Sequence, residues 1–417
     1  MVLDGAATVC PSVNMTKHTP QPATPDVFTG AFTQQEPIPQ EGIDAALAVL
    51  NGGRLHRYNT HGDEIAETAL LEEEFAAQMG SKYCLSCASG GYAMATAMRA
   101  CGVKAGDKVL TNAFTLAPVP GAIASLGATP IFVGVGEDLK IDLDDLAAKT
   151  DEADVLLLSH MRGHICDMDR LMQICDAAGV KVIEDCAHTM GAKWKDTYSG
   201  RHGVMGCYST QTYKHVNSGE GGLLISDDPD LMARAIMLSG SYMLYTRHRA
   251  APPPEAFEQV RLHTPNISGR MDNLRAAILR PQLRDLDAQA KRWNDRYKVL
   301  EDGLSGANRL TLINRPADEH YVASSFQFLL LDWADAEIVD FVARCAARGV
   351  ELKWFGADDP VAFTSKYDSW KYANPTPMPA TDRVLKGVMD MRLPLTFSLE
   401  DCAQIARIIR EEVAISA

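Results

Sequence analysis

The chain has 417 residues, of which 46% are hydrophobic, and its 40 basic and 54 acidic side chains give a net charge of −14. A chain of this length holds about two to three domains with a sizeable buried core. Its acidic balance argues against a nucleic-acid partner, whose phosphates require cationic side chains, and favours a small-molecule substrate.

The N-terminal region shows no targeting signal. No apolar run approaches the roughly 18 residues of a membrane span, and residues 1–30, rich in Thr and Pro, lack the charged-then-apolar order of a signal peptide. We therefore expect a cytoplasmic protein without a membrane partner, and a loose N-terminal arm over residues 1–40. The composition of this arm fits disorder, an extended strap over a dimer, or a partner-binding segment equally well.

The chain contains ten cysteines. Cys186, Cys207 and Cys345 lie in apolar stretches, which predicts reduced core thiols rather than a disulfide framework. Cys84 and Cys87 have the spacing of a zinc knuckle, but the sequence offers no second pair. We therefore expect structural thiols there and no metal site.

The first candidate binding motif is the turn Ser89-Gly90-Gly91, which precedes a helical pattern over residues 92–101. Free backbone N–H groups and the positive end of the helix would receive a phosphate at such a turn. An ordinary helix N-cap accounts for the motif equally well.

From Gly106 onward, short β-branched runs alternate with helical patterns, which is typical of a mostly parallel sheet with helices on both faces. Helices are predicted at residues 167–178 and 230–238. Strands are predicted at residues 108–111, 130–135, 155–159, 181–184, 207–209 and 222–225. Gly134 and Gly136 come nearest to a dinucleotide-binding fingerprint, but no helix opens directly after them, which excludes that class.

Polar side chains follow two of these strands at their carboxyl ends, where ligands bind in an open parallel sheet. Asp185 and His188 follow one strand, and Lys214 follows another, just before the glycine-rich residues 218–222. Alone, such a carboxylate is more often a helix cap and such a lysine a solvated surface group. Here the lysine lies in a loop between apolar strands, beside glycines that allow another group to approach.

Together with the Ser-Gly-Gly turn, these residues match the requirements of pyridoxal 5'-phosphate (PLP). A carboxylate keeps the pyridinium nitrogen protonated, an amine forms the Schiff base, and a helix N-terminus holds the phosphate. The sequence therefore predicts a PLP enzyme.

The C-terminal part predicts a smaller α+β domain. A long helical pattern over residues 271–300 bends or restarts near Pro281, and a strand at 325–331 precedes helices at 336–348 and 399–412. We expect three units: an arm (1–40), a large PLP-binding domain (41–280) and a small domain that includes the linking long helix (281–417).

From about Gly62 to its end, the sequence resembles the DegT/DnrJ/EryC1/StrS family of sugar aminotransferases. The resemblance rests on Leu71-Glu-Glu-Glu-Phe75, Ala113-Phe-Thr115, Gly127-Ala-Thr-Pro130, Asp167-Met-Asp169, Val182-Ile-Glu-Asp-Cys-Ala-His188, Gly219-Glu-Gly-Gly222, Gly269-Arg-Met271 and Arg392-Leu-Pro-Leu395. It implies an α/β, fold-type I, aspartate-aminotransferase-like enzyme with a mostly parallel seven-stranded sheet. Its members are usually homodimers that move an amino group from glutamate or glutamine to a ketone on a nucleotide-linked sugar or a cyclitol.

The resemblance also implies roles for individual residues. Lys214 would form the Schiff base and act as acid and base, Asp185 would pair with the pyridinium nitrogen, and His188 would lie near the ring on its O3' side. The phosphate would be bound by Ser89, Gly90, Gly91 and Ser209. Asn266 or Arg270 would reach the phosphate of the neighbouring subunit, which makes a dimer part of the site.

Three positions depart from the family pattern. Gly91 stands where a threonine is general, so one hydroxyl for the phosphate is missing. The aromatic that stacks on the cofactor falls at Leu116, and we expect another residue such as Phe114 to replace it. Arg162 stands in place of a tyrosine, either as a surface or interface ion-pair partner or as a bidentate ligand for a carboxylate or phosphate of one substrate.

The expected reaction is a ping-pong transamination from an amino acid donor to a ketone of a sugar, cyclitol or related compound. Family members that dehydrate sugars carry histidine at the position of Lys214, so the lysine favours transamination without excluding a lyase. A non-catalytic PLP-binding regulator is the other alternative, and it predicts cofactor absorbance that no donor changes. Residues 240–264 are unlike the family's usual short connection and either shape the acceptor pocket or form a surface insertion.

Overall fold

A seven-stranded sheet forms the centre of the computed structural model, which describes residues 26–362 and 365–415. The strands of this region are β1 (Tyr83–Cys87), β2 (Lys108–Asn112), β3 (Thr129–Val133), β4 (Val155–Ser159), β5 (Lys181–Asp185), β6 (Lys193–Trp194), β7 (Thr197–Tyr198), β8 (Met205–Ser209) and β9 (Gly222–Ser226). All except the short β6–β7 hairpin belong to the sheet, whose order is β1-β9-β8-β5-β4-β2-β3.

The sheet is mostly parallel, as predicted. Strands β3, β2, β4, β5 and β8 pair in parallel, and β9 runs antiparallel to both β8 and β1. Strands β4, β8 and β9 are buried along their whole length, as their continuous apolar sequences require. The predicted strands agree with the observed ones to within two residues at each end.

Helices pack around this sheet. They are α1 (Gln40–Gly52), α2 (Glu67–Met79), α3 (Gly90–Ala100), α4 (Pro118–Ser125), α5 (Leu143–Lys149), α6 (Met168–Ala178) and α7 (Pro229–Leu238). The side chains of Asp167 and Asp228 cap α6 and α7, and Gly179 ends α6 in the left-handed conformation at φ 74°. The helices predicted at residues 167–178 and 230–238 are therefore confirmed to within one residue at each end.

A second, antiparallel sheet lies in the C-terminal part, in the order β10-β12-β14-β13. The elements there are α8 (Asn273–Arg284), α9 (Leu286–Leu304), β10 (Thr311–Leu312), β11 (Glu319–His320), β12 (Ser325–Leu329), α10 (Asp335–Ala347), β13 (Lys353–Trp354), α11 (Pro379–Lys386), β14 (Val388–Arg392) and α12 (Leu399–Ile415). One buried core joins this sheet to α9, α10 and α12. The division at residues 40 and 280 stays a prediction, and α8 runs across the second boundary.

The long helical pattern breaks at a different residue from the one predicted. Pro281 lies inside α8, and the chain turns instead at Asp285, whose φ of −96° and ψ of 3° separate α8 from α9. Next to the proline, the side chain of Gln282 donates a hydrogen bond to the Ile278 carbonyl at 2.8 Å. This bond does not replace the one that Pro281 cannot donate, because the carbonyl left without that donor is at Ala277.

The prediction of a loose arm is wrong for residues 26–40. Phe28 and Phe32 are buried and pack edge-on against Phe397, with ring centroids 5.0 and 4.9 Å apart. The Asp26 carboxylate accepts a hydrogen bond from Gln404 at 2.7 Å and pairs with Arg407 on α12. Two buried aromatic rings thus bind this segment to the C-terminal core, whereas residues 1–25 lie outside the described part.

The described cysteines named in the sequence prediction are buried free thiols, as predicted for Cys186, Cys207 and Cys345. Cys84 and Cys87 lie in the buried strand β1, where burial raises the pKa of both thiols. Within the described residues, no helix combines the length and the apolar character that crossing a bilayer requires.

Candidate active site

A cavity of about 380 Å³ opens at the carboxyl ends of β4, β5 and β8. Its walls come from the N-terminus of α3, from the loop after β2, from the loop after β8 and from the second sheet. The predicted residues that line it are Ser89, Gly90, Arg162, Asp185, His188, Ser209 and Lys214. The rule that ligands bind at the carboxyl ends of the strands in an open parallel sheet therefore pointed to the edge where this cavity lies.

The Asp185 carboxylate is the buried acid of this cavity. Its Oδ2 accepts a hydrogen bond from Ser159 Oγ at 3.0 Å, and its Oδ1 accepts one from the Ala187 amide at 3.1 Å. Ser159 Oγ in turn accepts a hydrogen bond from Thr115 Oγ1 at 2.8 Å. The Asn112 side chain donates to the Ser159 carbonyl and accepts from the Ser159 amide. Burial raises the pKa of Asp185, and the two donors oppose that shift and fix the orientation of the carboxylate.

The Lys214 amine faces His188, with 2.8 Å between Nζ and the imidazole Nε2. Burial, assisted by the Arg162 guanidinium, lowers the pKa of Lys214 to about 7. Burial also lowers the pKa of His188, so the imidazole is neutral. Because the Arg162 backbone N–H donates to Nδ1 at 3.4 Å, we assign the hydrogen to Nε2, which donates to a neutral lysine amine.

The loop that carries Lys214 is held in shape by its glycines. Thr210 N–H donates to the Gly221 carbonyl at 2.9 Å, and Thr212 N–H donates to the Gly219 carbonyl at 3.1 Å. A Cβ at Gly221 would lie 2.2 Å from Thr210 Oγ1, and Gly219 has a φ of 83°. Gly221 is therefore required by the close packing of the loop against Thr210, whereas the predicted approach of another group to the lysine stays a prediction.

The helix end at Ser89 forms the opposite side of the cavity floor. Ser89 Oγ caps α3 by accepting the Tyr92 amide at 3.1 Å. A Cβ at Gly90 would lie 2.9 Å from Ser209 Cβ, so only glycine fits beside that serine. Gly91 does not line the cavity, and a Cβ there would meet only Ser89 Oγ at 3.9 Å.

The proposed replacement of the stacking aromatic by Phe114 is wrong. Phe114 is buried in the core and packs edge-on against Phe355, with centroids 5.3 Å apart. Leu116 lines the cavity instead. Successive side chains point in different directions, and position 114 turns toward the second sheet rather than the cavity.

Asn266 and Arg270 lie outside the cavity of their own chain. Asn266 Oδ1 accepts a hydrogen bond from the Ser268 amide at 3.0 Å, and Arg270 Nη1 donates to the Gly240 carbonyl at 2.8 Å. Their predicted reach to a neighbouring subunit stays a prediction. Residues 240–264 contribute no wall to this cavity in the described chain, and Tyr245 and Phe257 of this segment stack in the core at 4.1 Å.

Arg162 is an interior residue rather than a surface one. It is 8% exposed, and its Nη2 donates to Asp390 Oδ2 of β14 at 2.6 Å. Arg162 is thus an ion-pair partner, as one alternative expected, but the pair forms inside the chain rather than at its surface, and Arg162 also lines the cavity. Its role toward a substrate stays a prediction.

Sequence reasoning missed several cavity residues. Ser159 gave no signal beyond its place at the end of a strand, and Tyr213 is the neighbour of the lysine. Arg392 belongs to a stretch that was noted only for its family resemblance. Its guanidinium carbon lies 3.6 Å from the centroid of the Tyr213 ring, which places it on the cavity wall.

Among the described residues, His160, Glu184 and Cys186 lie close enough together to bind a metal ion. The Glu184 oxygens are already hydrogen-bonded to His160 Nε2 at 2.9 Å and to the amides of Gly200, His202 and Gly203 at 2.8 Å. This cluster is a satisfied structural network.

The donor set of the cavity fits PLP. The cavity combines a buried amine whose pKa is about 7, a buried carboxylate with both oxygens oriented, and hydroxyl groups beside a helix N-terminus. The close contact of Gly90 with Ser209 brings the α3 backbone to the wall where a phosphate would bind.

Comparison with known proteins gives the family. The model of the DegT/DnrJ/EryC1/StrS aminotransferase family matches residues 38–410. The L-glutamine:2-deoxy-scyllo-inosose aminotransferase of Streptomyces kanamyceticus is 32% identical over 256 residues, which are 60% of this chain and 59% of that protein. The protein of the same name from Streptomyces fradiae is 31% identical over 274 residues, 65% and 64% of the two chains.

The chain thus spans less than two thirds of the length of these curated relatives. The crystal structure of the aminotransferase TlmJ from Streptoalloteichus hindustanus shares the fold, with a TM-score of 0.78 over 94% of this chain and 99% of that one at 21% identity. Since the family model covers nearly the whole chain, the protein belongs to the DegT/DnrJ/EryC1/StrS aminotransferase family.

Proposed function

We propose that this protein is a PLP-dependent aminotransferase. It would move an amino group from an amino acid donor to a keto group of a sugar, cyclitol or related small ketone. The observation that carries the proposal is the buried Lys214 amine on His188, in the same cavity as the oriented Asp185 carboxylate. Family membership supports it, since this family and fold use PLP.

When bound, PLP supplies a ring that accepts electrons from the bond broken at the substrate carbon. Asp185 would hold the proton on the ring nitrogen, and Ser89, Gly90 and Ser209 would hold the phosphate. Lys214 would bind the cofactor covalently and move the proton at the reacting carbon. For that role an amine with a pKa of about 7 is suited, because both of its protonation states are available near neutral pH.

His188 and Ser159 would orient these two groups. His188 fixes the direction of the lysine amine through the 2.8 Å contact at Nε2. Ser159 fixes the carboxylate from the side away from the lysine loop. The relatives named above act on an inosose ring with glutamine as the donor, and we propose a polyhydroxylated ring ketone as the acceptor here.

We further propose a homodimer with the active site at the subunit interface. On α1, Ile43, Leu47 and Leu50 are 40%, 50% and 51% exposed and share one face of the helix. Such an apolar stripe is typical of a surface that a second copy covers. Arg270, outside its own cavity, would reach the phosphate in the partner. The predicted cytoplasmic location remains an expectation from the sequence.

The test of the activity is a donor panel. Purified protein loaded with PLP is mixed with individual amino acids, and the cofactor absorbance is followed, before candidate ring ketones are offered to the converted form. We expect a donor-dependent change that a ketone reverses, and no change in Lys214→Ala. A cofactor band that no donor alters would favour the non-catalytic regulator instead.

The test of the shared site is subunit complementation. Lys214→Ala and Arg270→Ala are each expected to be inactive alone. A mixed dimer would contain one site in which both residues are wild type and one site in which both are substituted. Such a dimer should therefore regain up to half of the activity of a wild-type dimer. A mixture that is as inactive as each variant alone would contradict the proposed active site at the subunit interface. So would a molar mass from light scattering that corresponds to a monomer.

A further inference from the structure

A second cavity, of about 540 Å³, opens between α3, α7 and residues 259–265. Among the described residues, none lines both this second cavity and the active-site cavity. On α3, Arg99 follows Gly90 by nine residues, which places it about 14 Å along the helix from the end that faces the active-site cavity. The second cavity is therefore a separate place, with a volume in the range of small-molecule sites.

The charged side chains of the second cavity are all cationic. They are Arg99, Lys104 and Arg234, and no Asp or Glu of the described chain belongs to the lining. The chain as a whole carries a net charge of −14, so this concentration of positive charge runs against its overall balance. A wall with a single sign of charge attracts ligands of the opposite sign.

Arg99 and Arg234 also differ from the other arginines in having no partner. Arginines elsewhere donate to carboxylates or to backbone carbonyls, as Arg249 does to Glu73. Within the described part of the chain, Arg99 and Arg234 are the two arginines whose side chains have neither a hydrogen-bond nor an ion-pair partner, and both line the second cavity. Their planar forks are free to match the oxygens of a phosphate.

The deeper part of the second cavity is apolar. Val103, Leu126, Leu238 and Val260 line it and are each less than a tenth exposed, whereas Lys104 is exposed. Apolar groups thus lie at the bottom and cations lie nearer to the solvent. A ligand that joins an anionic group to an apolar body would contact both parts.

One wall of the second cavity comes from the segment 240–264, whose role the sequence left open. The stacked rings of Tyr245 and Phe257 anchor this segment in the core that contains α3 and α7. The residues of the segment that line the second cavity are Gln259, Val260, His263 and Thr264. The segment therefore forms a fixed wall there, although it contributes none to the active-site cavity.

We propose that the second cavity binds a small phosphorylated molecule with an apolar body, the chemistry of a nucleoside phosphate. Arg99, Lys104 and Arg234 would bind the phosphate oxygens, and the buried apolar side chains would contact the base. Two arginine forks and one ammonium group suit a chain of two or three phosphates. Because the second cavity is separate from the active-site cavity, this inference does not depend on the proposed transamination.

Calorimetric titration of the PLP-loaded protein with ATP, pyrophosphate and adenosine tests both parts of the second cavity. We expect ATP to bind, pyrophosphate to bind about tenfold more weakly, and adenosine to give no measurable binding. Arg99→Gln and Arg234→Gln should each weaken ATP binding about tenfold or more, a change that corresponds to roughly 1.4 kcal/mol. Equal affinity for ATP and pyrophosphate would contradict the contact between the base and the apolar side chains.

Two matched variants separate a local site from the overall charge of the protein. Arg249→Gln removes an exposed arginine outside the second cavity and changes the net charge equally, so it should leave the affinity for ATP unchanged. Arg234→Lys keeps the charge but loses the planar fork, so it should retain part of the affinity. Because Arg99 and Arg234 have no partner within the described chain, we expect their variants to keep the Tm of the wild type.

The active-site cavity is the competing location for ATP, and Arg162→Gln distinguishes the two. If Arg162→Gln weakens ATP binding and Arg99→Gln does not, the ligand lies in the active-site cavity and the proposal is wrong. Absence of ATP binding, or an equal loss in Arg249→Gln, also overturns it. The donor panel reports separately on the proposed function, since cofactor conversion without ATP binding would refute only the second site.

Discussion

The cofactor end of the cavity and the Arg162 ion pair opposite it are assembled from residues at very different distances along the chain. Asp185, His188, Ser209 and Lys214 follow neighbouring strands of one sheet and fall within 30 positions of one another. Arg162 meets Asp390 across 228 positions, between two sheets. The first arrangement is a property of strand ends, and the second depends on how two sheets pack.

This contrast predicts separable effects. Substitutions at the cofactor end should change the affinity for the cofactor, the rate of the half-reaction or its pH dependence. They should not change which amino donor is preferred. Substitutions of Arg162 should change the preference for an anionic substrate without changing the affinity for the cofactor. If substitutions at either end changed both cofactor affinity and substrate preference to a similar extent, the two ends would act as one unit.

The largest effect is expected on the stability of the protein without cofactor when Lys214 becomes methionine. Burial lowers the folded-state pKa of Lys214 to about 7 from 10.5. Between those values the unfolded chain binds the extra proton, so the lysine destabilises the fold increasingly as pH falls from 10.5 to 7. Lys214→Met should therefore raise the free energy of unfolding by roughly 3 to 5 kcal/mol at pH 7, and by little near pH 10.5.

Chemical denaturation of cofactor-free protein at both pH values measures this difference. Lys193→Met, at a lysine that lies over the Tyr198 ring, is a control outside the cavity. A stabilisation that is the same at both pH values would show that the amine is not held neutral in the fold.

Asp185→Asn should lower the rate of the first half-reaction by about 100-fold or more, since the ring nitrogen loses its anionic partner. The amide oxygen can still accept the hydrogen bond from the Ala187 amide, and the amide nitrogen can donate to Ser159 Oγ, so we expect the variant to fold. Stopped-flow absorbance with glutamate and with glutamine measures the rate. The ratio between the two donors should stay at its wild-type value, and a changed ratio contradicts the separation of the two ends.

Gly90→Ala and Gly91→Ala form a matched pair at the phosphate turn. A methyl group at position 90 would lie 2.9 Å from Ser209 Cβ, whereas at position 91 it would meet only Ser89 Oγ, at 3.9 Å. We expect Gly90→Ala to weaken PLP binding about tenfold or more, because one of the two backbones must move. Gly91→Ala should bind PLP as the wild type does, and an unchanged affinity in Gly90→Ala would contradict the assignment of this turn to the phosphate. Cofactor affinity is measured by titration of the protein fluorescence.

Ser159→Ala should have the smallest effect. It removes a donor from Asp185, which raises the pKa of that carboxyl further, and it costs about 1 kcal/mol of cofactor binding, a fivefold loss in affinity. In a plot of cofactor affinity against pH, the decrease on the acidic side should move to higher pH, because Asp185 must be ionised to pair with the ring nitrogen. Ser125→Ala, whose hydroxyl bonds the Ala122 carbonyl on the surface of α4, is the control. An unmoved acidic limb would show that Ser159 only fills space.

The extent of prediction from the sequence follows the same contrast. The parallel sheet, its strand bounds and the residues at strand ends could be predicted, since periodicity and turn residues act over a few positions. The ion pair between Arg162 and Asp390 could not be predicted, because the sequence around neither residue indicates the other as its partner. Phe114 was misassigned for a related reason: its environment is decided by Phe355, which belongs to a distant part of the chain.

The described part of the arm shows the same limit. Thr and Pro content suggested looseness, and the two phenylalanines that bind residues 26–40 to the C-terminal core have partners more than 360 positions away. A pattern of two aromatics in a polar segment is the only local sign of such docking.

The central claim is that the amine at position 214 holds the cofactor. Borohydride reduction of the native, PLP-loaded protein, followed by peptide mapping, tests it most directly. We predict one stable pyridoxyl adduct, on the peptide that contains Lys214, and none in Lys214→Ala. An adduct on another lysine, or a cofactor-loaded protein that gives no adduct at all, would contradict the account.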